Sequence, residues 1–207
     1  MSDKTAMTPA QYAEEHYFRN DPRANRERML AGDWYVGGDD PESNRISQKG
    51  YALCDEYYRA TLAGDPDAMR YLADLVGELG EGAYVKPPLF VDYGENIRIG
   101  ARTFVNMNLA ALDVLPITIG EDCQIGPNVQ LLTPVHPIDP TMRRDKLEAG
   151  EPITIGDNVW LGGGVIVCPG VTIGDNSVIG AGSVVTKDIP ANVVAVGNPC
   201  RPIRDIA

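Results

Sequence analysis

Histidine is scarce in this chain, and one of its two histidines stands where a chemical role can be argued. His136 occurs in the segment LLTPVHPIDP, whereas His16 lies near the amino terminus beside two glutamates. An imidazole titrates near neutral pH, so histidine is the usual general base in enzymes. Position alone leaves His136 open between a general base and a loop histidine without a catalytic role.

A second group with chemical potential is the set of bases near the carboxyl end. Residues 151–207 contain three basic residues, namely Lys187, Arg201 and Arg204, in a chain whose net charge is −11. Ammonium and guanidinium groups bind phosphates through charge and through forked hydrogen bonds. These residues are a candidate anion site, and the alternative is a basic tail on the surface.

An internal repeat of six residues must position these groups. An aliphatic residue recurs at every sixth position, at Ile155, Leu161, Val167, Ile173, Ile179 and Val185. This period fits neither a helix, which repeats at three to four residues, nor an alternating strand. It fits short strands joined by turns, with three sides per coil. The sequence therefore predicts a parallel β-helix solenoid.

The same register runs earlier from Ile99 to Ala111, slips by two residues near Leu115 and resumes at Ile119. It is interrupted over residues 134–150, which are polar and charged. We predict that this stretch is a long loop that leaves one corner of the solenoid. Loops of this length inside a compact domain are usually functional.

The chain divides into three predicted regions. Residues 1–25 form a polar extension, residues 26–82 a helical cap, and residues 83–207 the solenoid with its loop and a short tail. Within the cap, apolar spacing predicts one helix from Arg45 to Ala63 and a second from Asp67 to Leu79. The coils themselves are expected over residues 99–190.

Composition limits the possible partners. A pI near 4.6 argues against a nucleic acid or an anionic membrane as partner. The sequence has no apolar run long enough to span a membrane and no signal-peptide pattern, so we expect a cytoplasmic protein. The four cysteines lack zinc-ligand spacing, and no metal is expected.

Several long segments resemble the galactoside and maltose O-acetyltransferases, which are hexapeptide-repeat acyltransferases that use acetyl-CoA. The segments are VNMN, ALDV, VHPID, PITIGDNVWLGGGVIVCPGVTIGDNSVIGAGSVVTKDIP and GNPCRPIR, with RERMLAGDWY similar to the helical cap of that family. The resemblance covers roughly residues 26–206. It implies a left-handed β-helix that transfers acetyl from acetyl-CoA to a hydroxyl of a sugar or similar small acceptor.

The resemblance also implies roles for individual residues. It places the family's catalytic histidine on His136, which would take the proton from the acceptor hydroxyl. On the acceptor side it implies four residues: Asn106, Asp113, Asp92 and Phe104. This chain has Asp113-Val114 where the family often has two acids, and Phe104 where some members have tyrosine. Asn106 is alternatively a turn former, since asparagine suits corners.

For acetyl-CoA, the resemblance implies a groove formed by Gly163, Ala181, Thr186, Lys187, Arg201, Arg204 and Trp160. Trp160 either walls this groove or covers the outer face of the solenoid. Acyl transfer needs hydrogen-bond donors for the developing oxyanion, and the sequence offers Gly162 and Gly163 as candidates without identifying either. Glu148 either orients His136 or the acceptor, or is a solvated loop charge, which is the favoured interpretation.

The resemblance further implies a homotrimer with sites between subunits. A γ-type carbonic anhydrase shares this solenoid but needs three histidines on zinc, and this chain has one histidine in the solenoid region. Two alternatives remain open: a xenobiotic or antibiotic acetyltransferase of the same fold, and a non-catalytic β-helix used in assembly.

Overall fold

The solenoid is built from three sheets, each formed by one strand per coil. A computed structural model of the protein describes residues 7–38 and 40–206. Residues 1–6 of the predicted extension, residue 39 and residue 207 lie outside the described part. Strands and helices are numbered in chain order below.

Sheet I comprises β2 (Glu78–Leu79), β5 (Ile97–Ile99), β8 (Ile117–Ile119), β13 (Ile153–Ile155) and β16 (Thr172–Ile173). Sheet II comprises β3 (Tyr84–Val85), β6 (Phe104–Val105), β9 (Gln124–Ile125), β14 (Trp160–Leu161), β17 (Val178–Ile179), β19 (Val193–Gly197) and β20 (Cys200–Asp205). Sheet III comprises β4 (Leu89–Val91), β7 (Leu109–Leu112), β10 (Gln130–Leu132), β15 (Ile166–Val167) and β18 (Val184–Val185). Apart from the antiparallel pair β19–β20, neighbouring strands of these sheets run parallel.

The six-residue repeat forms the core of the solenoid. Val167, for example, pairs with Leu131 of the preceding coil and Val185 of the following one, and all three side chains are fully buried. Each aliphatic residue therefore stacks on its equivalents along the axis. The predicted fold class is confirmed: the chain is a left-handed parallel β-helix of about six turns, with helices at its amino-terminal end.

The backbone at the corners of the coils explains why asparagine and glycine recur between the aliphatic positions. Asn158, Asn176 and Asn192 adopt a left-handed backbone conformation, which asparagine tolerates better than most residues. Their side-chain amides form a ladder, each Nδ2 donating to the next Oδ1 at 2.9 Å. Position 162 requires glycine for a different reason: a Cβ there would lie 2.5 Å from the backbone nitrogen of Ala181 in the next coil.

The coils begin earlier than the sequence predicts, and the second helix of the cap ends earlier. Helix α4 spans Met69–Leu75, and β2 at Glu78–Leu79 already pairs with β5. Gly77 lies between them, where a Cβ would collide with the carbonyl oxygen of Glu95. The predicted helix to Leu79 is therefore wrong in its last turn, since pairing with the next coil overrides helical spacing.

Three helices precede α4, and the longest of them, α3, packs on the first coils. They are α1 (Pro9–His16), α2 (Asn25–Leu30) and α3 (Pro41–Ala63). Helix α3 is capped by Asp40, which accepts from the Ser43 backbone N–H, and it ends at Gly64 with φ of 69°. Tyr57 of α3 is fully buried, and its hydroxyl donates to the carbonyl oxygen of Val85 at 2.6 Å. The helix therefore closes the first coils.

Residues 134–150 are more ordered than a simple loop. They form β11 (Pro134–Val135), the short helix α5 (Pro140–Arg144) and β12 (Leu147–Gly150). We refer to residues 134–150 as the hairpin. Strand β12 pairs antiparallel with β11 on one side and with β1 (Tyr35–Val36) on the other. Among the described residues, no helix has the length and apolar character needed to cross a bilayer.

Candidate active site

Each coil runs from sheet I to sheet II to sheet III, so the solenoid is a prism with three edges. We name each edge by the two sheets that the chain connects there. The candidate site residues fall on two of these edges and on the outer face of sheet II.

The III–I edge carries the hairpin with His136. It also carries Asp92 and Asp113 in earlier coils and Thr186 and Lys187 in a later coil. The common register is set by Val91, Ala111, Leu131, Val167 and Val185, which pair in that order across sheet III. Each candidate on this edge follows one of those strands within a few residues.

The II–III edge carries Asn106, Gly163 and Ala181. Asn106 follows β6, and its backbone N–H donates to the carbonyl oxygen of Ile125 at 2.8 Å. Gly163 and Ala181 occupy equivalent corners in adjacent later coils, as shown by the Gly182 N–H that donates to Gly163 O at 2.9 Å. The structure therefore gathers one acceptor candidate and two acetyl-CoA candidates on this edge.

The outer face of sheet II carries Phe104, Trp160 and Arg204 in one row. The register across the sheet passes from Phe104 through Gln124, Trp160, Val178 and Val194 to Arg204. Trp160 is 56% exposed, so it does not serve the core. Arg201 lies on the same final strand, and its guanidinium donates to the carbonyl oxygen of Cys200 at 2.7 Å.

His136 is exposed on the wall of an open cleft of about 360 Å³ that is lined by Gly37, His136, Arg143, Lys146 and Glu148. The Arg143 guanidinium donates to the carbonyl oxygens of Pro137 and Ile138 at 2.7 and 3.0 Å. These bonds hold the backbone that follows the histidine. The imidazole therefore has a fixed attachment and an open face toward solvent.

Glu148 lies on β12 between two cavities. It is half-buried, and its Oε1 accepts a hydrogen bond of 2.7 Å from the hydroxyl of Tyr35, its partner in the β1–β12 pair. The interpretation of Glu148 as a solvated loop charge is therefore wrong. Burial, with the charge of Glu148, raises the pKa of Tyr35 above its usual range, so the phenol remains a donor.

The second cavity, of about 220 Å³, adjoins the first through their shared Glu148. Its polar wall includes Tyr35, Asp92, Tyr93 and Glu148. Burial, and then the charges of Asp113 and Glu148, raise the pKa of Asp92 to about 6. The cavity thus offers carboxylate acceptors beside phenol groups in a partly desolvated space.

Asp113 does not lie on this wall, which corrects its expected contact with the acceptor. Its side chain is fully buried, and its carboxylate accepts the backbone N–H groups of Asp92, Tyr93 and Asn96 at 2.8 to 3.2 Å. A carboxylate saturated in this way holds a turn. The neighbouring Val114 lines the cavity instead, so Asp113 acts by positioning Asp92.

The two oxyanion candidates differ in the structure. The Gly162 N–H donates to the carbonyl oxygen of Ile179 at 2.8 Å as part of the ladder between coils, so it is not available to a substrate. Within the described residues the Gly163 N–H has no such acceptor. Gly163 therefore remains the candidate.

Sequence reasoning missed Tyr35 as a site residue. It lies 113 positions from Glu148, and neither the repeat nor residue spacing connects the two segments. The available signal was that Tyr35 closes the RERMLAGDWY segment. In the part of the chain that the structure describes, no group of three or more His, Cys, Asp or Glu side chains is arranged to hold a metal ion.

Comparison with known proteins identifies the family. Residues 152–187 match the family described as bacterial transferase hexapeptide (six repeats). Nodulation protein L of Rhizobium meliloti (strain 1021) is 45% identical over 180 residues, covering 86% of this chain and 97% of that protein.

Two solved structures share the fold along most of the chain. A maltose O-acetyltransferase from Clostridium difficile 630 is 44% identical with a TM-score of 0.86, covering 89% of this chain and 98% of that one. A galactoside acetyltransferase in complex with coenzyme A is 41% identical with a TM-score of 0.85, covering 89% and 92%. The chain therefore belongs to the hexapeptide-repeat acetyltransferases, in the galactoside and maltose O-acetyltransferase subgroup.

Proposed function

We propose that this protein transfers an acetyl group from acetyl-CoA to a hydroxyl of a sugar or a similar small acceptor. The observation that carries the proposal is the junction of two cavities at Glu148. One contains the exposed imidazole of His136, and the other has a polar wall that includes Asp92. The relatives named for galactoside and maltose O-acetyl transfer support it.

The polar cavity suits a polyhydroxylated acceptor. Hydroxyl groups donate to carboxylates and accept from phenols, and Asp92, Glu148, Tyr35 and Tyr93 supply both kinds of partner. An acceptor bound there would present one hydroxyl toward the cleft of His136. Phe104 lies on the outer face of sheet II, away from this cavity. It would reach the acceptor from a neighbouring copy and add an apolar contact without a hydroxyl of its own.

His136 acts as the general base in this proposal. A ring nitrogen takes the proton of the acceptor hydroxyl while its oxygen attacks the thioester carbonyl. The Gly163 N–H stabilises the negative charge on the carbonyl oxygen, and Asn106 binds the acceptor. When the C–S bond breaks, the imidazolium returns the proton to the departing CoA sulfur, so the enzyme ends unchanged.

The distribution of residues over two edges supports a shared site. His136 lies on the III–I edge, whereas Asn106 and Gly163 lie on the II–III edge, so one chain presents them on separate edges of its prism. A homotrimer would bring the III–I edge of one copy against the II–III edge of the next. We therefore propose a homotrimer with its active sites between subunits.

The acetyl-CoA groove in this proposal uses both edges and the final strand. Its members are Trp160, Gly163, Ala181, Thr186, Lys187, Arg201 and Arg204, and apart from the half-buried Gly163 they are exposed. The basic side chains would bind the phosphates of CoA, and the small residues would leave room for the pantetheine arm. The four free cysteines support a reducing compartment, namely the cytoplasm.

A thiol-release assay tests the proposal. Acetyl-CoA is offered with a panel of galactosides, maltose, glucose, aminoglycosides and small alcohols, and released CoA is measured against a reaction without acceptor. We expect release that depends on a sugar hydroxyl, with the acetyl ester found on the sugar. Preference for an aminoglycoside would favour the xenobiotic alternative, and absence of release with every acceptor would favour an assembly role.

A further inference from the structure

The segment that precedes α2 lies against the hairpin. We call residues 7–18 the strap; it consists of α1 and the residues on either side of it. The motif-bearing segments that resemble the O-acetyltransferases begin at Arg26, so the strap precedes them in the chain. The contacts of the strap are nevertheless specific.

The apolar part of the contact is a small core separate from that of the solenoid. Ala13 and Phe18 of the strap pack with Val36 of β1 and Leu147 of β12, and Met142 of α5 packs against them. Ala13 and Leu147 are fully buried, and Phe18 is 8% exposed. Leu147 projects from the hairpin and lies outside the solenoid core, so its burial depends on the strap and β1.

The polar part of the contact is a hydrogen bond to the hairpin. The hydroxyl of Tyr17 donates to Asp145 Oδ2 at 2.8 Å, and Asp145 is only 4% exposed. Burial, followed by the hydrogen bond and charge of Asp145, raises the pKa of Tyr17 to about 12. The phenol therefore donates throughout the physiological pH range.

The strap is held from its other side by a buried arginine. Arg28 is 1% exposed, and its guanidinium donates to Glu14 Oε1 at 2.6 Å and to the carbonyl oxygen of Asp21 at 3.1 Å. The same guanidinium lies over the ring of Phe18, 4.1 Å from its centroid. These contacts fix α1 relative to α2, which leads directly into β1.

The strap and the cleft meet opposite faces of one strand. In β12, Leu147 contacts the strap core, and the next residue, Glu148, lines both cavities. Successive residues of a strand point to opposite faces. Strand β12 also pairs with β11, which ends one residue before His136. A shift of β12 would therefore move both Glu148 and the histidine.

We propose that the strap positions the hairpin, so that Ala13, Tyr17 and Phe18 are positioning residues for His136 and Glu148. The expected loss of acetyl transfer rests on the proposed function, whereas the expected loosening of the hairpin does not. The solenoid has its own core, which the strap does not enter. Loosening the strap should therefore alter the acceptor side of the reaction and leave both acetyl-CoA binding and the solenoid unchanged.

The test compares Phe18→Ala and Ala13→Glu with the control Arg19→Ala, whose exposed side chain directly follows the strap. We expect each strap variant to have a lower kcat and a higher acceptor KM, so that its kcat/KM for the acceptor falls by about tenfold. The acetyl-CoA KM should be unchanged. We also expect faster trypsin cleavage at Arg143 and Arg144 in α5. Tyr17→Phe should show the same pattern more weakly.

Two outcomes would overturn the inference. One is trypsin cleavage in α5 that stays at the wild-type rate in both strap variants. The other is an acetyl-CoA KM that rises in parallel with the acceptor KM, which would indicate general destabilisation. The trypsin assay needs no acceptor, so it tests the role of the strap even if the wild-type protein acetylates no sugar. That second result would refute the proposed function alone.

Discussion

The solenoid and the hairpin present two ways of holding a chain in place. In the solenoid, each buried aliphatic residue lies between equivalents in neighbouring coils, so the same contact recurs along the axis. The hairpin occurs once, and its strand β12 depends on β1 and the strap, which come from distant sequence. Repetition therefore supplies the scaffold, while the unique segment supplies His136 and Glu148.

The largest difference between the two regions should appear when a charge is buried in each. Val167→Asp places an unpaired carboxylate between Leu131 and Val185, which costs several kcal/mol. We expect loss of the native β-sheet signal in circular dichroism and aggregation. A soluble variant with native-like unfolding would show that the register assigned to the core is wrong.

Leu147→Asp makes the same change in the hairpin core. Because this residue lies outside the solenoid core, we expect a soluble β-helix with a near-native melting temperature. Acetyl transfer should fall by about tenfold or more, since the displaced strand carries Glu148. If this variant unfolds as completely as Val167→Asp, the two regions are not independent.

A smaller effect is expected from the bases that we assign to CoA. Lys187→Ala and Arg204→Ala should each raise the acetyl-CoA KM by about tenfold, the value of one lost charge-assisted hydrogen bond, with little change in the acceptor KM. Arg98→Ala, an exposed base on the outer face of sheet I, is the matched control. Equal effects in all three variants would mean that only net charge matters.

The last prediction concerns how the stability of the solenoid end of the cavity depends on pH through Asp92. Its pKa is raised to about 6 in the folded protein, against an unfolded value near 3.9. Ionisation is therefore disfavoured in the folded state, and wild-type stability falls as pH rises from about 4 to 6. Two pKa units correspond to about 3 kcal/mol, so Asp92→Asn should melt about 5–10 °C higher than wild type at pH 7 and at nearly the same temperature at pH 4. A difference in melting temperature that is the same at pH 4 and pH 7 would show that Asp92 does not titrate in this range.

The repeat made the solenoid predictable because each six-residue unit has the same pattern of aliphatic and turn-forming residues. The first coil was missed because Leu72, Leu75, Val76 and Leu79 continue a helical spacing, and the pairing of β2 with β5 that ends it is a tertiary contact. The hairpin sheet could not be predicted for a similar reason. Its edge strand β1 lies about a hundred residues earlier in the chain.

The candidate site shows the same division. His136 was found because the chain has few histidines, and its place on the hairpin follows from the interrupted repeat. Asp113 was misassigned although the signal was present: Leu109 and Ala111 face the core, so the same alternation points Asp113 inward. For Tyr35 the only signal was its place at the end of RERMLAGDWY, because its contact with Glu148 exists only after β1 joins the hairpin.

The central claim is that a single imidazole carries the proton during acetyl transfer, and His136→Ala tests it most directly. We predict a kcat lower by about 10²- to 10⁴-fold, with acetyl-CoA affinity by calorimetry and the melting temperature both at wild-type values. His16→Ala, which removes the other histidine, should retain wild-type turnover. Turnover of His136→Ala within twofold of wild type on the best sugar acceptor would contradict the account.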